Sequence, residues 1–371
     1  MSLEKEKILF YDFEIPYLLK DEGIPTGGAC VRVNNFAKGL SELGYKVGFL
    51  TWRGANDYID NLPNFKLIET YKLTDGIPKA RWIYLRLPIL YNRIRKFKPT
   101  YLIIKSAGGM IGLMSLICLF TRTKLVFMVT NDIDVDKRSN IKLNFLNRFL
   151  YKIGLMYSSS IFCQNNYQLE SFRKKYPNKN IFKVTNPFIP LNENSDMNLS
   201  KKRSYVSWLG IFQAQKNLKS LLNIAKDNPE ILFHIAGKSS NSIDQDTLKS
   251  INELKKLKNV KFVGFLKRNE ILKFLSQSIA LLNTSDYEGF SNTFLESFYS
   301  GTPIISLNAN PDNILTDYNI GYVIKKDEFK YVIDKILKED NSFNKKIHNY
   351  VLNKHSYKSL SKKLINNLNN E

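Results

Sequence analysis

The feature that most constrains the fold is an alternation of short apolar segments with longer amphipathic ones. In the first half of the chain the strand-like segments are KILFYDF, KVGFLTW, YLIIKSA, KLVFMVT and SIFCQN, with helical stretches between them. Strands that alternate with helices pair in parallel, because a parallel connection needs a crossover. The pattern therefore predicts an α/β fold with a parallel sheet covered by helices on both faces.

The alternation stops once and then resumes. The turn-rich segment Asn186–Arg203 has no periodicity and is typical of a linker. After it come SYVSWLG, ILFHIAG, VKFVGF, IALLNTS and PIISLNA, again separated by helical stretches. A chain of 371 residues suits two domains. We predict two doubly wound domains, residues 1–187 and 188–353, facing a central cleft, with ligands at the carboxyl ends of the strands.

The net charge of +21 is unevenly distributed, since no Asp or Glu occurs from Gly76 to Asn131. One domain should therefore present a positive face, which would attract lipid head groups, nucleic-acid phosphates or anionic substrates. Cys30, Cys118 and Cys163 are an odd, widely spaced set, which indicates free buried thiols in a reducing compartment. With three histidines in the chain, a dedicated zinc site is not expected.

The amino terminus and the apolar runs predict a cytoplasmic protein. MSLEKEKILFYDF passes from charged residues directly into a strand, without the apolar core and small cleavage-site residues of a signal peptide. The most apolar run, Met110–Phe120, is interrupted by Arg122 and Lys124 and is too short to cross a bilayer.

Segment Asp286–Ile305, DYEGFSNTFLESFYSGTPII, combines a helix start with two carboxylates. Ser291 is an N-cap candidate, and the free amides of a helix amino end bind phosphate. Glu288 lies just before this helix and Glu296 one or two turns inside it, and carboxylates accept hydrogen bonds from sugar hydroxyls. The segment predicts a nucleotide-sugar site, although its spacing fits an ordinary amphipathic helix equally well.

With its surroundings, this segment resembles the signature of family 4 retaining glycosyltransferases, in which an acidic residue, Gly-Phe and a second Glu precede Gly-Thr-Pro. Further segments resemble the family in the same order along nearly the whole chain: TGGACVRVNNFAKGLSELGYKV, SSSIFCQNNYQLESFRKKYP, SYVSWLGIFQAQKNLKSLLNIAKDNPEILFHIAG and NVKFVGFLKRNEILKFLSQSIALLN. The resemblance implies a GT-B fold with two Rossmann-like domains. The first would bind the acceptor and the second the donor, and the final helix, about 354–371, would pack back on the first.

The resemblance also implies roles for single residues. Glu288 would contact the transferred sugar and Glu296 the ribose, while backbone amides at the helix start meet the diphosphate. Lys216 would stabilise the leaving diphosphate, where negative charge develops. Gly27 and Gly28 would let the backbone approach the phosphates, and a strand-end loop would contact the base. The predicted donor-binding residues are Gly27, Gly28, Gly210, Lys216, Lys238, Gly264, Phe265, Glu288, Gly289, Phe290, Ser291, Asn292 and Glu296.

Two positions depart from the family pattern. Ile211 stands where an arginine usually follows the strand-end glycine, and Lys238 is a candidate substitute. Asn131 stands where a histidine is common; it can form hydrogen bonds but cannot transfer a proton near neutral pH. Asp132, beside it, is a candidate for orienting the acceptor hydroxyl. The predicted catalytic residues are Glu288, Lys216, Asn131 and Asp132.

Asp132, Asp134 and Asp136 also invite a metal interpretation. The segment lacks the glycine and distal glutamate of a calcium loop, since Leu143 stands at the last position. A loop of solvated or acceptor-facing carboxylates is the preferred interpretation, and no metal is predicted.

The helical stretch Ser139–Tyr157 carries an apolar stripe of Ile141, Phe145, Phe149 and Ile153. Such a stripe ordinarily packs against the sheet, which is our prediction. The alternative is a basic, partly apolar surface that joins Asn92–Lys98 and holds the enzyme on anionic lipid.

From these features we predict a retaining, metal-independent hexosyltransferase of cell-surface polysaccharide biosynthesis. It would use a UDP- or GDP-linked sugar as co-substrate, no further cofactor, and a glycan or lipid-linked acceptor. Its location would be the cytoplasm, with the inner face of the membrane as a further candidate. The alternatives are a nucleotide-sugar epimerase, a catalytically silent partner subunit and a basic nucleic-acid-binding protein. No nucleic-acid partner is expected, because an RNA-binding motif and a zinc finger are both missing.

Overall fold

The computed structural model describes residues 5–20, 27–61, 63–78, 80–105, 107–136, 143–190, 203–240 and 243–370. The chain divides into two compact units. The first comprises Met1–Pro187 together with Tyr357–Glu371, and the second comprises Phe188–Ser356.

The first unit is a doubly wound α/β unit. In its described part the sheet has seven parallel strands in the order β3-β2-β1-β4-β5-β6-β7. The strands are β1 (Lys7–Tyr11), β2 (Lys46–Thr51), β3 (Lys66–Glu69), β4 (Tyr101–Lys105), β5 (Lys124–Met128), β6 (Ser160–Cys163) and β7 (Asn180–Lys183). The helices are α1 (Ile15–Lys20), α2 (Gly28–Glu42), α3 (Ala55–Tyr58), α4 (Leu87–Phe97), α5 (Met110–Thr121), α6 (Phe145–Tyr157) and α7 (Asn166–Lys175).

The second unit has the same architecture. Its described part holds six parallel strands in the order β10-β9-β8-β11-β12-β13. The strands are β8 (Tyr205–Leu209), β9 (Phe233–Ala236), β10 (Val260–Gly264), β11 (Ser278–Asn283), β12 (Ile304–Ser306) and β13 (Gly321–Val323). The helices are α8 (Leu218–Asp227), α9 (Gln245–Leu254), α10 (Arg268–Ser276), α11 (Asn292–Tyr299), α12 (Ile314–Asp317), α13 (Phe329–Ile336) and α14 (Asn341–Lys354).

The last helix, α15 (Tyr357–Asn369), belongs to the first unit and packs against α2. The Tyr101 hydroxyl donates to the Leu368 carbonyl at 2.9 Å, and the Tyr357 hydroxyl donates to Glu42 at 2.7 Å. A Cβ at Gly39 would collide with Ser361. The close approach of α2 and α15 therefore requires glycine at position 39.

Each sheet has an apolar core on both faces. In the first unit α2 and α15 cover one face, whereas α4, α5, α6 and α7 contribute to the core on the other. In the second unit α8, α9 and α13 cover one face, and α10, α11 and α14 the other. Cys30, Cys118 and Cys163 are free and buried, as the sequence predicts.

The predicted α/β class with two parallel sheets is confirmed, and three edge strands, β3, β7 and β13, are additional. They have three or four residues each, too few for a periodicity to show. Helix α2 spans Gly28–Glu42. Gly44 ends it with φ +84° and donates to the Ser41 carbonyl, a left-handed position that glycine adopts at little cost.

The prediction that the apolar stripe of Ser139–Tyr157 packs against the sheet was wrong for Phe145 and Phe149. Helix α6 begins at Phe145, and Phe145 and Phe149 are exposed, whereas Tyr151, Gly154 and Leu155 are buried. Residues 137–142, which include Ile141, lie outside the described residues. Within the part of the chain that the structure covers, every helix is too short or too polar to cross a bilayer.

Candidate active site

The candidate site of the second unit lies where its strand order reverses. Strands β8 and β11 are neighbours, but β9 and β10 extend the sheet on one side and β12 and β13 on the other. The loops that follow β8 and β11 must diverge there, and such switch points are where open parallel sheets bind ligands.

Hydrogen bonds join these two loops. The Thr284 hydroxyl donates to the Lys216 carbonyl at 2.6 Å, and the Asp286 amide donates to the Gln215 carbonyl at 3.0 Å. The Gln215 side chain in turn donates to the Tyr287 carbonyl at 2.7 Å. The loops therefore form one framework, which fixes the side chains that extend from it.

Lys216 and Glu288 extend from this framework and form an ion pair. The Ser285 hydroxyl donates to the same Glu288 oxygen at 2.8 Å. The side chains of Lys216 and Glu288 are 16% and 10% exposed, so both are largely shielded yet still reach the surface. Two predicted catalytic residues are thus in direct contact, and a ligand phosphate would compete with Glu288 for the ammonium group.

Three strand ends beside this pair are joined through their backbones. The Gly210 amide donates to the Ala236 carbonyl at 3.1 Å, and the Gly237 amide donates to the Gly264 carbonyl at 2.8 Å. Gly237 has φ +148°, and a Cβ there would collide with the Gly210 carbonyl oxygen. Sequence reasoning used Gly210 and Gly264 but missed Gly237, although its place directly after β9 was a usable signal.

Lys238 and Phe265 follow these glycines and contact each other. The Lys238 ammonium group lies 4.8 Å from the centre of the Phe265 ring, which is within the range of a cation–π interaction. The two predicted donor-binding residues therefore share one edge of the sheet.

Helix α11 begins where predicted, but Ser291 does not cap it with its side chain. Its hydroxyl lies 2.6 Å from the Thr293 hydroxyl. Phe290, just before it, is buried with its ring 5.0 Å from that of His355, and Gly289 is buried as well. The first-turn amides of Asn292 and its successors thus receive no side-chain cap from Ser291 and keep the electrostatic preference of a helix amino end for anions.

The far end of α11 is held equally firmly. Gly301 has φ +64° and donates to the Phe298 carbonyl at 2.9 Å. The Arg203 guanidinium donates to the Gly301 carbonyl at 2.9 Å and to the Thr302 hydroxyl at 2.8 Å. A cation at the carboxyl end of a helix is favourable for the helix dipole, so Arg203 helps to fix α11 in place.

Glu296 lies on the second turn of α11 and is buried, with 9% of its surface exposed. Burial raises its pKa to about 7, and the charge of Arg268 opposes this only in part. The predicted contact with a ribose requires that a ligand reach this carboxyl group and hydrogen-bond to it.

The first unit has a polar cluster that sequence reasoning missed, again at a reversal of strand order, here between β1 and β4. Lys105 ends β4, and its ammonium group lies 2.9 Å from both Asp12 and Glu14. Asp12 follows β1 directly and is buried; burial raises its pKa, and Lys105 partly opposes the shift. The sequence showed a charged residue near the end of each of two predicted strands, KILFYDF and YLIIKSA, but not that these strands lie side by side.

Cys30 completes this cluster, because its sulfur and the carboxylate oxygens of Asp12 and Glu14 lie within 4.8 Å of one another. The Lys105 ammonium already provides the counter-charge, so the group forms an ion-pair cluster. Gly27 and Gly28 stand at the start of α2, three and two residues before Cys30, and a Cβ at Gly27 would meet nothing within 4 Å.

Asn131 and Asp132 follow β5 and hold a short turn together. The Asn131 side chain accepts from the Ile133 amide at 3.3 Å. Asp132 accepts from the side chains of Asn165, at 2.9 Å, and Gln168, at 2.8 Å. Asp132 is thus anchored to the start of α7, and the interpretation of this loop as solvated or acceptor-facing carboxylates stays a prediction.

The other two carboxylates of this loop have separate partners. Asp134 accepts from the Thr130 hydroxyl at 3.0 Å and the Asn131 amide at 3.0 Å, and Asp136 accepts from the Tyr167 hydroxyl at 3.1 Å. The three aspartates of the loop do not converge on one point among the residues that can be described.

Comparison with known proteins agrees with this architecture. Residues 192–354 match the family model "Glycosyl transferases group 1". No curated protein sequence matches the chain. The chain is similar to the structure of a sucrose-phosphate synthase from Thermosynechococcus elongatus, with 15% identity, 97% of each chain covered and a TM-score of 0.72.

Two complexes are similar as well. One is a mutant of S. aureus TarM with fondaparinux, alpha-GlcNAc-glycerol and UDP, at 13% identity, covering 98% of this chain and 100% of that one, with a TM-score of 0.70. The other is the pneumococcal O-GlcNAc transferase GtfA with UDP and GlcNAc, at 13% identity, covering 99% of each chain, with a TM-score of 0.68.

The fold is thus that of GT-B glycosyltransferases, as predicted. The match to the group 1 glycosyl transferases covers most of the second unit and agrees with the family resemblance expected from the glutamate segment. Assignment to family 4 in particular stays a prediction.

Proposed function

We propose that the chain is a retaining, metal-independent glycosyltransferase that moves a hexose from a nucleotide-diphosphate sugar to a glycan or lipid-linked acceptor. The observation that carries this proposal is the Lys216–Glu288 ion pair at the strand-order reversal of the second unit. Lys216 lies in the loop after β8, and Glu288 lies in the loop that leads into α11. This arrangement offers a cation and a helix amino end for a diphosphate, and a carboxylate for sugar hydroxyls.

The pair suggests how donor binding proceeds. A diphosphate carries more negative charge than one carboxylate, so it takes over the Lys216 ammonium and releases Glu288 to accept hydrogen bonds from the sugar. As the bond to the sugar breaks, charge on the leaving diphosphate increases, and Lys216 and the amides of α11 stabilise it without reorganisation. Retention follows when that diphosphate helps to deprotonate the acceptor on the same face of the sugar.

The remaining predicted residues extend the donor site. Lys238 is exposed and stands beside Phe265, so its flexible side chain can turn to a phosphate and replace the missing arginine at Ile211. Glu296 binds the ribose by accepting hydrogen bonds from its two hydroxyl groups. The two solved complexes that contain UDP support a uridine diphosphate donor.

The first unit contributes the acceptor side in this proposal. Asp132 is held by Asn165 and Gln168, which fixes its carboxylate in the loop from which it would orient an acceptor hydroxyl. Asn131 supports the same loop through its bond to the Ile133 amide.

A silent partner subunit is the second candidate, because Ile211 and Asn131 remove two groups common in the family. Donor binding followed by transfer distinguishes the two functions. We would screen UDP- and GDP-linked hexoses by thermal shift, with manganese or with EDTA, and then measure release of nucleotide diphosphate.

The enzymatic function is supported if one nucleotide sugar stabilises the protein in EDTA and is slowly hydrolysed to the nucleotide diphosphate. Stabilisation without any release favours the silent subunit, and a strict need for manganese contradicts the metal-independent mechanism. Lys216→Met should abolish the shift, whereas Lys219→Met, an exposed lysine of the next turn, should retain it.

A further inference from the structure

We propose that the outer side of α5 and α6 docks on an anionic phospholipid bilayer. This surface, the α5–α6 surface, consists of Leu116, Leu119 and Phe120 on α5 and Phe145, Phe149 and Met156 on α6. Phe120 is 79% exposed and Phe145 81% exposed, so the rings project almost fully into solvent. The inference concerns attachment and holds whether or not the proposed transfer reaction does.

The two helices form one layer. A Cβ at Gly112 would collide with the Leu150 carbonyl, and a Cβ at Gly154 would collide with Ile111, so α5 and α6 pack at glycine-to-backbone distance. Both bury their inner sides in the same core, through Met114 on α5 and Leu155 on α6. Side chains that point away from that core must therefore emerge on the same outer side of the layer.

The exposed apolar residues recur at helical spacing. On α6, Phe149, Lys152 and Met156 follow one another at intervals of three and four residues, which places them on one stripe, and all three are exposed. On α5, Leu116 and Phe120 are four residues apart. Large exposed apolar side chains of the second unit occur singly on separate elements, and the first unit has one further group before α4, namely Leu73, Ile77, Ile83 and Tyr84. Among the described helices, α5 and α6 thus carry the main concentration of such side chains.

Charge identifies the occupant. From Gly76 to Leu169 the sequence contains fifteen lysines and arginines and three acidic residues, Asp132, Asp134 and Asp136. All three lie in the loop after β5 and accept hydrogen bonds from side chains, Asp134 within that loop and Asp132 and Asp136 from the start of α7. Arg122, the residue directly after α5, and Lys152 on α6 are both exposed.

Helix α4 continues the basic character beside them, because Leu90 and Ile94 face the core while Arg95 and Lys96 are exposed. Apolar side chains surrounded by cations, without exposed acids on the same helices, match the interface of an anionic membrane. A second copy of this chain would bring a second basic surface, which the charges disfavour.

The test is co-sedimentation of the full chain with vesicles of phosphatidylcholine alone or mixed with phosphatidylglycerol. We expect binding to the mixed vesicles that falls steeply with salt. Phe120→Ser with Phe145→Ser should weaken binding by about tenfold or more, since each ring leaves the interface. Lys152→Gln should weaken it by about fivefold, the loss expected for one interfacial charge. Tyr331→Ser, an exposed aromatic on α13, is the matched control and should bind as the parent does.

Phe145→Trp provides a reading that does not depend on loss of function, because its fluorescence should shift to the blue on mixed vesicles. Equal binding to neutral and anionic vesicles, or unchanged binding of both variants, would overturn the proposal. So would light scattering that shows a dimer dissociated by the Phe120→Ser, Phe145→Ser pair, because the surface would then join two copies. Thermal shift with soluble donor is the separate measure of the transferase proposal and should be unchanged in all of these variants.

Discussion

Lys216 and Glu288 lie 72 residues apart in the chain and form an ion pair at the point where the second sheet reverses its strand order. Asp12 and Lys105 occupy the corresponding reversal in the first unit, with 2.9 Å between their charged atoms. Each sheet therefore holds a largely buried cation against a carboxylate at the edge where its loops diverge. In the second unit both members of the pair still reach the surface, with 16% and 10% of their side chains exposed, which leaves them accessible for exchange with a ligand.

The exchange of partners makes the effects of the two residues non-additive. We expect Lys216→Met to lower kcat/KM for the donor by about a hundredfold to a thousandfold, as for loss of one charge-stabilising donor. Glu288→Gln removes the carboxylate that competes for Lys216. This variant should therefore bind the free nucleotide diphosphate at least as tightly as the parent does, while its rate of sugar transfer falls. In the double variant the losses should not add, because the residues act on one ligand. Steady-state kinetics with Lys219→Met as the control tests this; strictly additive losses would contradict a shared site.

The sequence predicted the pieces of this site but not their pairing. Alternation and the segment Asp286–Ile305 were sufficient for the fold class and for the start of α11, because both are local properties of the chain. The contact between Lys216 and Glu288 depends on β11 lying beside β8, which periodicity does not specify. The Asp12–Lys105 pair was missed for the same reason: each residue by itself reads as an ordinary charge at a strand end.

Helix α6 shows a different limit. Periodicity established that Phe145 and Phe149 share a stripe, but it did not show which side meets the sheet. Gly154 decides this, because its lack of a side chain lets α5 approach the side formed by Tyr151, Gly154 and Leu155. The side of α6 that contains the small residue Gly154 packs more closely against α5 than a side lined by phenylalanines could. The aromatic stripe is therefore left exposed.

The pKa of Glu296 predicts a pH-dependent stability. In the unfolded chain its pKa is near the ordinary 4.5, and burial raises it to about 7 in the folded state. The folded state therefore holds the proton more tightly, and stability is lost as pH rises from about 4.5 through 7, by roughly 3 kcal/mol in total. Glu296→Gln should be more stable than the parent at pH 8 and similar at pH 4.5, as measured by urea unfolding. If the two proteins differed in free energy of unfolding by the same amount at both pH values, burial would not be raising the pKa of Glu296.

Gly237 should tolerate no side chain. With φ +148° and no room before the Gly210 carbonyl oxygen, Gly237→Ala should lower the free energy of unfolding by about 3 kcal/mol or more. Gly27→Ala is the control, because its backbone lies at φ −66° and a Cβ would have space. That variant should unfold within about 0.5 kcal/mol of the parent. Denaturant unfolding compares the two, and a well-folded Gly237→Ala would mean that the three strand ends can separate.

The Asp12–Lys105 pair should behave as a buried ion pair rather than as a surface one. Lys105→Met leaves Asp12 buried without its counter-charge, which should cost about 3–5 kcal/mol near neutral pH. Because burial already raises the pKa of Asp12 and Lys105 opposes the shift, losing Lys105 raises it further, so the folded variant takes up a proton more readily. The variant should therefore recover stability as pH falls. Asp12→Asn in the same chain should restore most of the loss at pH 8, since no uncompensated charge remains. Unfolding of the three variants across pH checks this, and a Lys105→Met loss that is the same at acidic and basic pH would locate the cost in packing instead of charge.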